Sequence, residues 1–408
     1  MSASREAGLR VLVVGAGAVG SFVARQLARE TNVSMVTCID RDVRRAKAFL
    51  KGTGKKIRFA KVDVRTMKDI ERAGKGSSIV LNAGLPNLNR VIMGGTLRLG
   101  AHYQDMCSHL ADLKNAEQLE FHKAFRDAGL RALFNTGVAP GITNLLAADL
   151  VEQFDEVDEI RFRLIEDQDS TRPIFTWSPT VLFDELMAPP LVYRKRRFRL
   201  VEPFSEPEQY EFPQPFGSRR VFNIYGDEVA TIPRYLRCQS VDMKSGGADI
   251  DFGAALFHAG VLSRKRVTYQ GRRLVPFDFF ARLASAVPTP EATVALVRDG
   301  VIRNAHLVVS VEVTGIVRRR KRKARITAVY PDLKEILRRA PGATYISWPT
   351  AISAAAFTRA LIRHDQPGVI PPEALPAELR ARVRHDLELR GVSFEETISN
   401  VRAVRKRP

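Results

Sequence analysis

Cysteine is scarce. The 408 residues hold 3, Cys38, Cys107 and Cys238, odd in number and far apart. That argues against a disulfide framework and a cysteine-based zinc site, and it suits a reducing cytoplasm. Histidine is sparse too, with 7 scattered residues and neither an HExxH motif nor a Cys/His cluster, so no metal centre is expected. No apolar run approaches the roughly 18 residues that a membrane span needs. The opening MSASREAG lacks the apolar core of a secretory signal. A cytoplasmic protein with no membrane partner is the expectation. Internal repeats and low-complexity linkers are missing as well. Ser108, His109 and Asp112 lie too close in sequence to read as a hydrolytic triad.

Acidic residues are in deficit, with 45 Asp and Glu against 64 Lys and Arg, a formal net charge of +19. The surplus concentrates in RKRRFR (194–199), RRRKRK (318–323) and the tail 402–407. Such runs would suit an anionic partner such as nucleic acid. No nucleic-acid-binding motif accompanies them, so solvated surface is the expected role and a nucleic-acid partner is not.

What the chain does have is VLVVGAGAVG at 11–20. An apolar run over 9–14 stops at Gly15, and Gly15, Gly17 and Gly20 stand in GxGxxG spacing before a helical pattern. This reads as strand, tight turn and helix. Gly15 lets the chain turn, Gly17 lets backbone approach a pyrophosphate, and Gly20 lets the helix pack close. Ala16, Ala18 and Val19 complete the loop, whose helix start offers free N–H groups to phosphate. Asp40 closes the next apolar run, 34–39. A carboxylate there accepts hydrogen bonds from a ribose 2′-OH and repels a 2′-phosphate. The expected cofactor is NAD, with NADP as the alternative that Arg41 would favour.

Strands are then predicted over 57–62, 78–81, 101–106 and 130–134. They alternate with helices over 43–50, 67–73, 88–99 and 110–128, which implies a doubly wound parallel sheet. Ligands bind beyond the carboxyl ends of such strands. Asp63 and Val64 follow one end, where a carboxylate lies near adenine or caps a helix. Asn82, Ala83 and Gly84 follow another and let the chain run close to the cofactor. Gly137, Pro140 and Gly141 form a tight turn that presents the next helix to the same cleft. From about 159 the texture changes to an α+β pattern, with 185–214 read as a loop or arm, and helices return over 351–361 and 377–389. The expected fold is α/β, a Rossmann doubly wound parallel sheet interrupted by an α+β substrate domain. Its parts are a dinucleotide-binding domain at 1–140, a substrate and dimerisation domain at 141–345, and C-terminal helices at 346–408 returning to the first domain.

The stretches VLVVGAGAVG, 135–150 and 368–375 resemble the saccharopine dehydrogenase-like reductases, and that resemblance implies chemistry at an amine. Such chemistry needs a carboxylate or a base, because a free amine with a pKa of about 10.4 is mostly cationic at neutral pH. Tyr103, Asp105 and His109 lie at and just after a strand end on the cofactor side. Asp105 would hold the ammonium and accept a proton, or else cap a helix; His109 would relay the proton, or be an ordinary histidine. Trp177 would wall a substrate pocket, and Arg172 would pair with a substrate carboxylate.

Three stretches, VLVVGAGAVG, NTGVAPGITNLLAADL (135–150) and GVIPPEAL (368–375), together resemble the saccharopine dehydrogenase-like reductases. Within them the chain looks most like bacterial lysine 6-dehydrogenase, while TWSP (176–179) is similar to the saccharopine reductase branch. Asp105 and His109 match an Asp and a His of the lysine-dehydrogenase-like pattern. The resemblance implies an NAD-dependent oxidoreductase acting on a CH–NH bond of a small amine or amino acid. The reaction would take lysine to 2-aminoadipate 6-semialdehyde plus ammonia, in a homodimer. A second reading is an NAD(P)H-dependent reductase joining an aldehyde and an amine, as in saccharopine or carboxynorspermidine formation. A third, of another class, is a nucleotide-regulated basic binding protein.

Overall fold

The computed structural model describes residues 8–400; the opening residues 1–7 and the basic run 402–407 lie outside it. Seven parallel strands form the first sheet. In spatial order they are Gly368–Ile370, Arg131–Leu133, His102–Asp105, Ile79–Asn82, Leu9–Val14, Val33–Asp40 and Ile57–Lys61. Val11, Leu12 and Val13 are all buried, because the central strand of a parallel sheet is covered on both faces. The chain order reverses at Leu9–Val14, flanked by Ile79–Asn82 and Val33–Asp40. That switch point opens the crevice into which the glycine loop turns.

The second sheet is mixed. Its long central strands, Glu156–Ser170 and Ile302–Val317, are antiparallel, and Ser240–Gly246 joins Glu156–Ser170 in parallel. Residues 185–214, expected as an arm, are largely sheet. The hairpin Leu191–Arg194 with Arg197–Leu200 and the strand Glu208–Glu211 all attach to it. Two of the basic runs make hairpin turns, with Lys195, Arg196, Arg318 and Arg319 at positive φ. Among the described residues, no helix is long and apolar enough to cross a membrane.

The C-terminal part serves both sheets. Helix Ser347–Arg363 packs on helix Gly20–Ala28, and Gly368–Ile370 extends the parallel sheet. Strand Ser393–Asn400, not foreseen in the sequence, pairs instead with Arg320–Val329. The helix expected over 110–128 is also different. The Asp112 carboxylate accepts from the backbone N–H groups of Lys114 and Asn115, a local turn that competes with helix. Only Glu117–Phe121 and His122–Asp127 are helical there.

Candidate active site

A cavity of about 870 Å³ runs from the glycine loop, past the carboxyl ends of the parallel strands, to the wall made by the second sheet and its helices. The three loop glycines are glycines for different reasons. Gly15 has φ +94°. A Cβ on Gly20 would lie 2.0 Å from the Gly15 carbonyl oxygen. A Cβ on Gly17 would meet no protein atom within 4 Å, and Gly17 lines the cavity. Packing within the protein therefore does not account for the bare backbone at Gly17, whereas close approach of a pyrophosphate does. The residues present fit a dinucleotide.

Asp40 also lines this end. Its carboxylate accepts from the Ala16 N–H at 2.9 Å and the Asp42 N–H at 2.9 Å, which ties strand end to glycine loop. Each oxygen keeps a lone pair for a ribose hydroxyl. Arg41 and Arg45 line the same end and offer positive charge to a 2′-phosphate. Asp40→Ser should therefore raise the affinity for NADPH relative to NADH by about tenfold, the scale of one charge-assisted hydrogen bond. Paired fluorescence titrations check this, and an unchanged ratio would mean that Asp40 faces no ribose.

Of the other expected cofactor residues, Ala18, Val19, Asp63, Val64, Asn82, Ala83 and Gly84 line the cavity, and Ala16 contributes its backbone. Asp63 is ion-paired with Arg65. Asn82 is buried, donating to Asn89 Oδ1 and accepting from the Gly84 N–H. On the substrate side Trp177, Gly137 and Pro140 line the cavity. Gly141 does not; at φ +136° its role is the turn itself, where a Cβ would meet the Gly137 carbonyl oxygen at 2.2 Å. Arg172 is exposed on a turn outside the cavity, so pairing with a bound carboxylate is not its role.

The expected catalytic trio is not assembled at the cavity. Tyr103 and Asp105 sit within a strand, so their side chains enter the layer beneath the sheet rather than turning over its end. Both are fully buried, and Tyr103 donates to Asp105 at 3.0 Å. Gln118 Nε2 and the Asn135 N–H complete the set of donors to Asp105, at 2.9 Å each. Burial pushes the Asp105 carboxyl up to about 8 despite these donors. His109 stands on the loop after the strand, but only its neighbours Ser108 and Leu110 line the cavity; its N–H is held by buried Glu117. Asp105 is thus held by these donors within the layer and is not a helix cap. Asp105→Asn puts an amide N–H₂ against at least one donor, so thermal unfolding should show a loss of about 1–3 kcal/mol, with NAD(P)H affinity retained. Full stability in the variant would contradict this assignment.

Across the cavity stands a carboxylate the sequence reading missed. Asp227, 5% exposed, lines the cavity from the start of helix Asp227–Tyr235. It accepts from the Ser108 N–H at 2.9 Å and the Tyr225 hydroxyl at 3.1 Å. The Ser108 hydroxyl reaches Gln118 Oε1 at 3.2 Å, and Gln118 in turn holds Asp105. Asp105 therefore supports the loop that fixes Asp227. Burial, opposed by the Ser108 hydrogen bond and reinforced by Glu228, raises Asp227 to about 7. Glu166 and Glu185 line the same wall. The only sequence signal was the pair Asp227–Glu228 after Tyr225–Gly226, inside a stretch otherwise rich in proline and arginine.

Residues 11–133 match the family described as the saccharopine dehydrogenase NADP binding domain. The chain is an NAD(P)-dependent oxidoreductase similar to the saccharopine dehydrogenase-like enzymes. Over 294 residues it is 26% identical to a carboxyaminopropylagmatine dehydrogenase of Synechocystis, a match spanning 69% of this chain and 73% of that protein. A carboxynorspermidine synthase of Vibrio alginolyticus is 24% identical over 64% of this chain and 68% of its own length. Among solved structures, saccharopine dehydrogenase (L-Glu forming) of Saccharomyces cerevisiae superposes with a TM-score of 0.68 at 14% identity. That match covers 96% of this chain and all of the yeast chain. Homospermidine synthase of Legionella pneumophila, solved with NAD, gives 0.63 at 13% identity over 98% and 93% of the two chains. These structural likenesses concern the fold.

Proposed function

We propose that this oxidoreductase joins an aldehyde and a cationic amine into a secondary amine, reducing their condensation product with NADPH or NADH. The observation that carries the reading is Asp227, a cavity-lining carboxyl raised to about 7. Condensation needs a base first and an acid second. The incoming ammonium must lose a proton before its lone pair attacks the carbonyl carbon, and the carbinolamine hydroxyl must gain one before it leaves as water. A carboxyl poised near neutrality does both. The nicotinamide, when bound, supplies the hydride that the resulting C=N carbon accepts. Ser108 and Tyr225 hold Asp227 in place through both transfers.

The names of the two sequence relatives, a carboxynorspermidine synthase and a carboxyaminopropylagmatine dehydrogenase, support chemistry at a C–N bond of a cationic amine. The lysine 6-dehydrogenase reading is less well supported. It asks for a cation to hold the α-carboxylate, and Arg172 lies outside the cavity. The test is NADPH and NADH consumption with an aldehyde alone, an amine alone and both together. Consumption that requires both is the expected result. Reduction of NAD⁺ by lysine alone, with no demand for an aldehyde, would replace this reading with the dehydrogenase one.

A further inference from the structure

One stretch of surface combines unpaired cations with bare apolar side chains. Residues 264–283 read RKRVTYQGRRLVPFDFFARL, with six Lys and Arg against the single acid Asp278. They form the hairpin of Val267–Tyr269 with Arg272–Leu274, which belongs to neither large sheet, and the helix Pro276–Leu283. The hairpin strands are open to solvent almost throughout. Val267, Tyr269, Arg272 and Leu274 share one hairpin face, because Val267 pairs with Leu274 and Tyr269 with Arg272. On the helix, Phe279 and Leu283 stand one turn apart on one stripe. Tyr269 and Phe279 are each 62% exposed and Leu283 69%. Of the ten large apolar side chains exposed among the described residues, four fall in these twenty positions. The inner side of the helix is already seated: Phe277 is buried, and Phe280 meets Phe183 edge-on at 5.2 Å. The outer stripe is therefore surplus to packing. Of the six cations, only Arg264 has an ion-pair partner among the described residues, Asp184.

We propose that residues 264–283 are a docking surface for an anionic lipid bilayer, with the cations on the headgroups and Tyr269, Phe279 and Leu283 set into the interfacial layer. Such contact needs no membrane-spanning helix. Charge and side-chain type separate this partner from two others. A second copy docked about a two-fold axis would bring six cations against six, with one acid on each side to offset them. A nucleic acid would pair with the cations and stack on Tyr269, but it offers nothing to Val267 and Leu283. A bilayer interface accepts aliphatic and aromatic side chains alike. None of these residues lines the cavity, so docking is independent of the reaction performed there.

The test is co-sedimentation of the full chain with vesicles of phosphatidylcholine alone and of phosphatidylcholine mixed equally with phosphatidylglycerol. Binding to the mixed vesicles should be tighter by about tenfold or more and should weaken with salt. A chain of net charge +19 adsorbs to any anionic surface, so site-specific changes carry the decision. Phe279→Ser with Leu283→Ser, and separately Arg272→Gln with Arg273→Gln, should each weaken binding by about tenfold or more. Both variants should keep the melting curve and NADPH affinity of the unaltered protein, because all four side chains are exposed and outside the cavity. Arg319→Gln with Arg320→Gln, on the other basic hairpin, should change binding little. Tyr269→Trp should add an emission component that moves to the blue on the mixed vesicles alone. Equal losses from both hairpins, or full binding by the serine variant, would reduce the effect to diffuse adsorption and overturn the surface. So would an oligonucleotide that binds more tightly than the mixed vesicles and loses affinity in the same variants. A dimer that the serine variant dissociates without lipid would overturn it too.

Discussion

Gly17→Val should abolish NADH and NADPH binding while leaving the thermal unfolding curve almost unchanged. Most glycine substitutions confound a ligand effect with a folding effect, and this one does not. Gly20 shows the contrast: its Cβ would sit 2.0 Å from the Gly15 carbonyl oxygen, so even Ala must disturb the turn. At Gly17 a Cβ enters open space within the cavity and φ is not in the left-handed region. The protein tolerates the side chain, and a pyrophosphate lying against the loop does not. Fluorescence titration of both reduced cofactors, run beside a melting curve, decides the matter. Unimpaired binding would remove the glycine loop from the cofactor site, and lost binding with a collapsed melting curve would show that Gly17 is a folding residue.

Asp227→Asn should lower kcat/KM by about 10²–10³-fold, the scale of general acid–base catalysis. The change keeps shape and one acceptor oxygen for the Ser108 N–H, while the amide N–H₂ takes the other position, where the Tyr225 hydroxyl can turn to accept from it. The substitution removes the proton that must be taken from the ammonium and given to the departing hydroxyl. The pH profile carries the sign. With a carboxyl near 7, the acid form is lost as pH rises through neutrality, while the supply of neutral amine grows toward its pKa of about 10. The unaltered enzyme should therefore show a kinetic limb near pH 7 that the variant lacks, with cofactor affinity equal in both. If the variant keeps both turnover and limb, the acid–base group is elsewhere.

The cofactor end was legible because its determinants are local. Gly15, Gly17, Gly20 and Asp40 are fixed by one strand–turn–helix unit and the strand beside it, so spacing alone orders them. The parallel sheet was legible for the same reason, through alternation of apolar runs and helices. The chemistry end was not. Asp227, Glu166 and Glu185 come from three elements whose meeting depends on how the second sheet folds over the first. Their segments also lack any motif. Asp105 misled because its position at a strand end was right, yet a side chain within the last turn of pleat still points into the layer. Met106, Cys107 and Ser108, the residues just beyond, are the ones that turn over the edge into the cavity.

The central claim is hydride transfer to a carbon bound to nitrogen, and isotopic tracing tests it most directly. The enzyme is given NADPH or NADH carrying deuterium at C4 of the nicotinamide, in each of its two stereochemical forms, with an aldehyde and a diamine, and the products are read by mass spectrometry. One deuterium on the carbon adjacent to the new secondary amine, from one of the two forms, is the result this account predicts. Deuterium on the carbinol carbon of a simple alcohol, with no carbon–nitrogen bond formed, would contradict it.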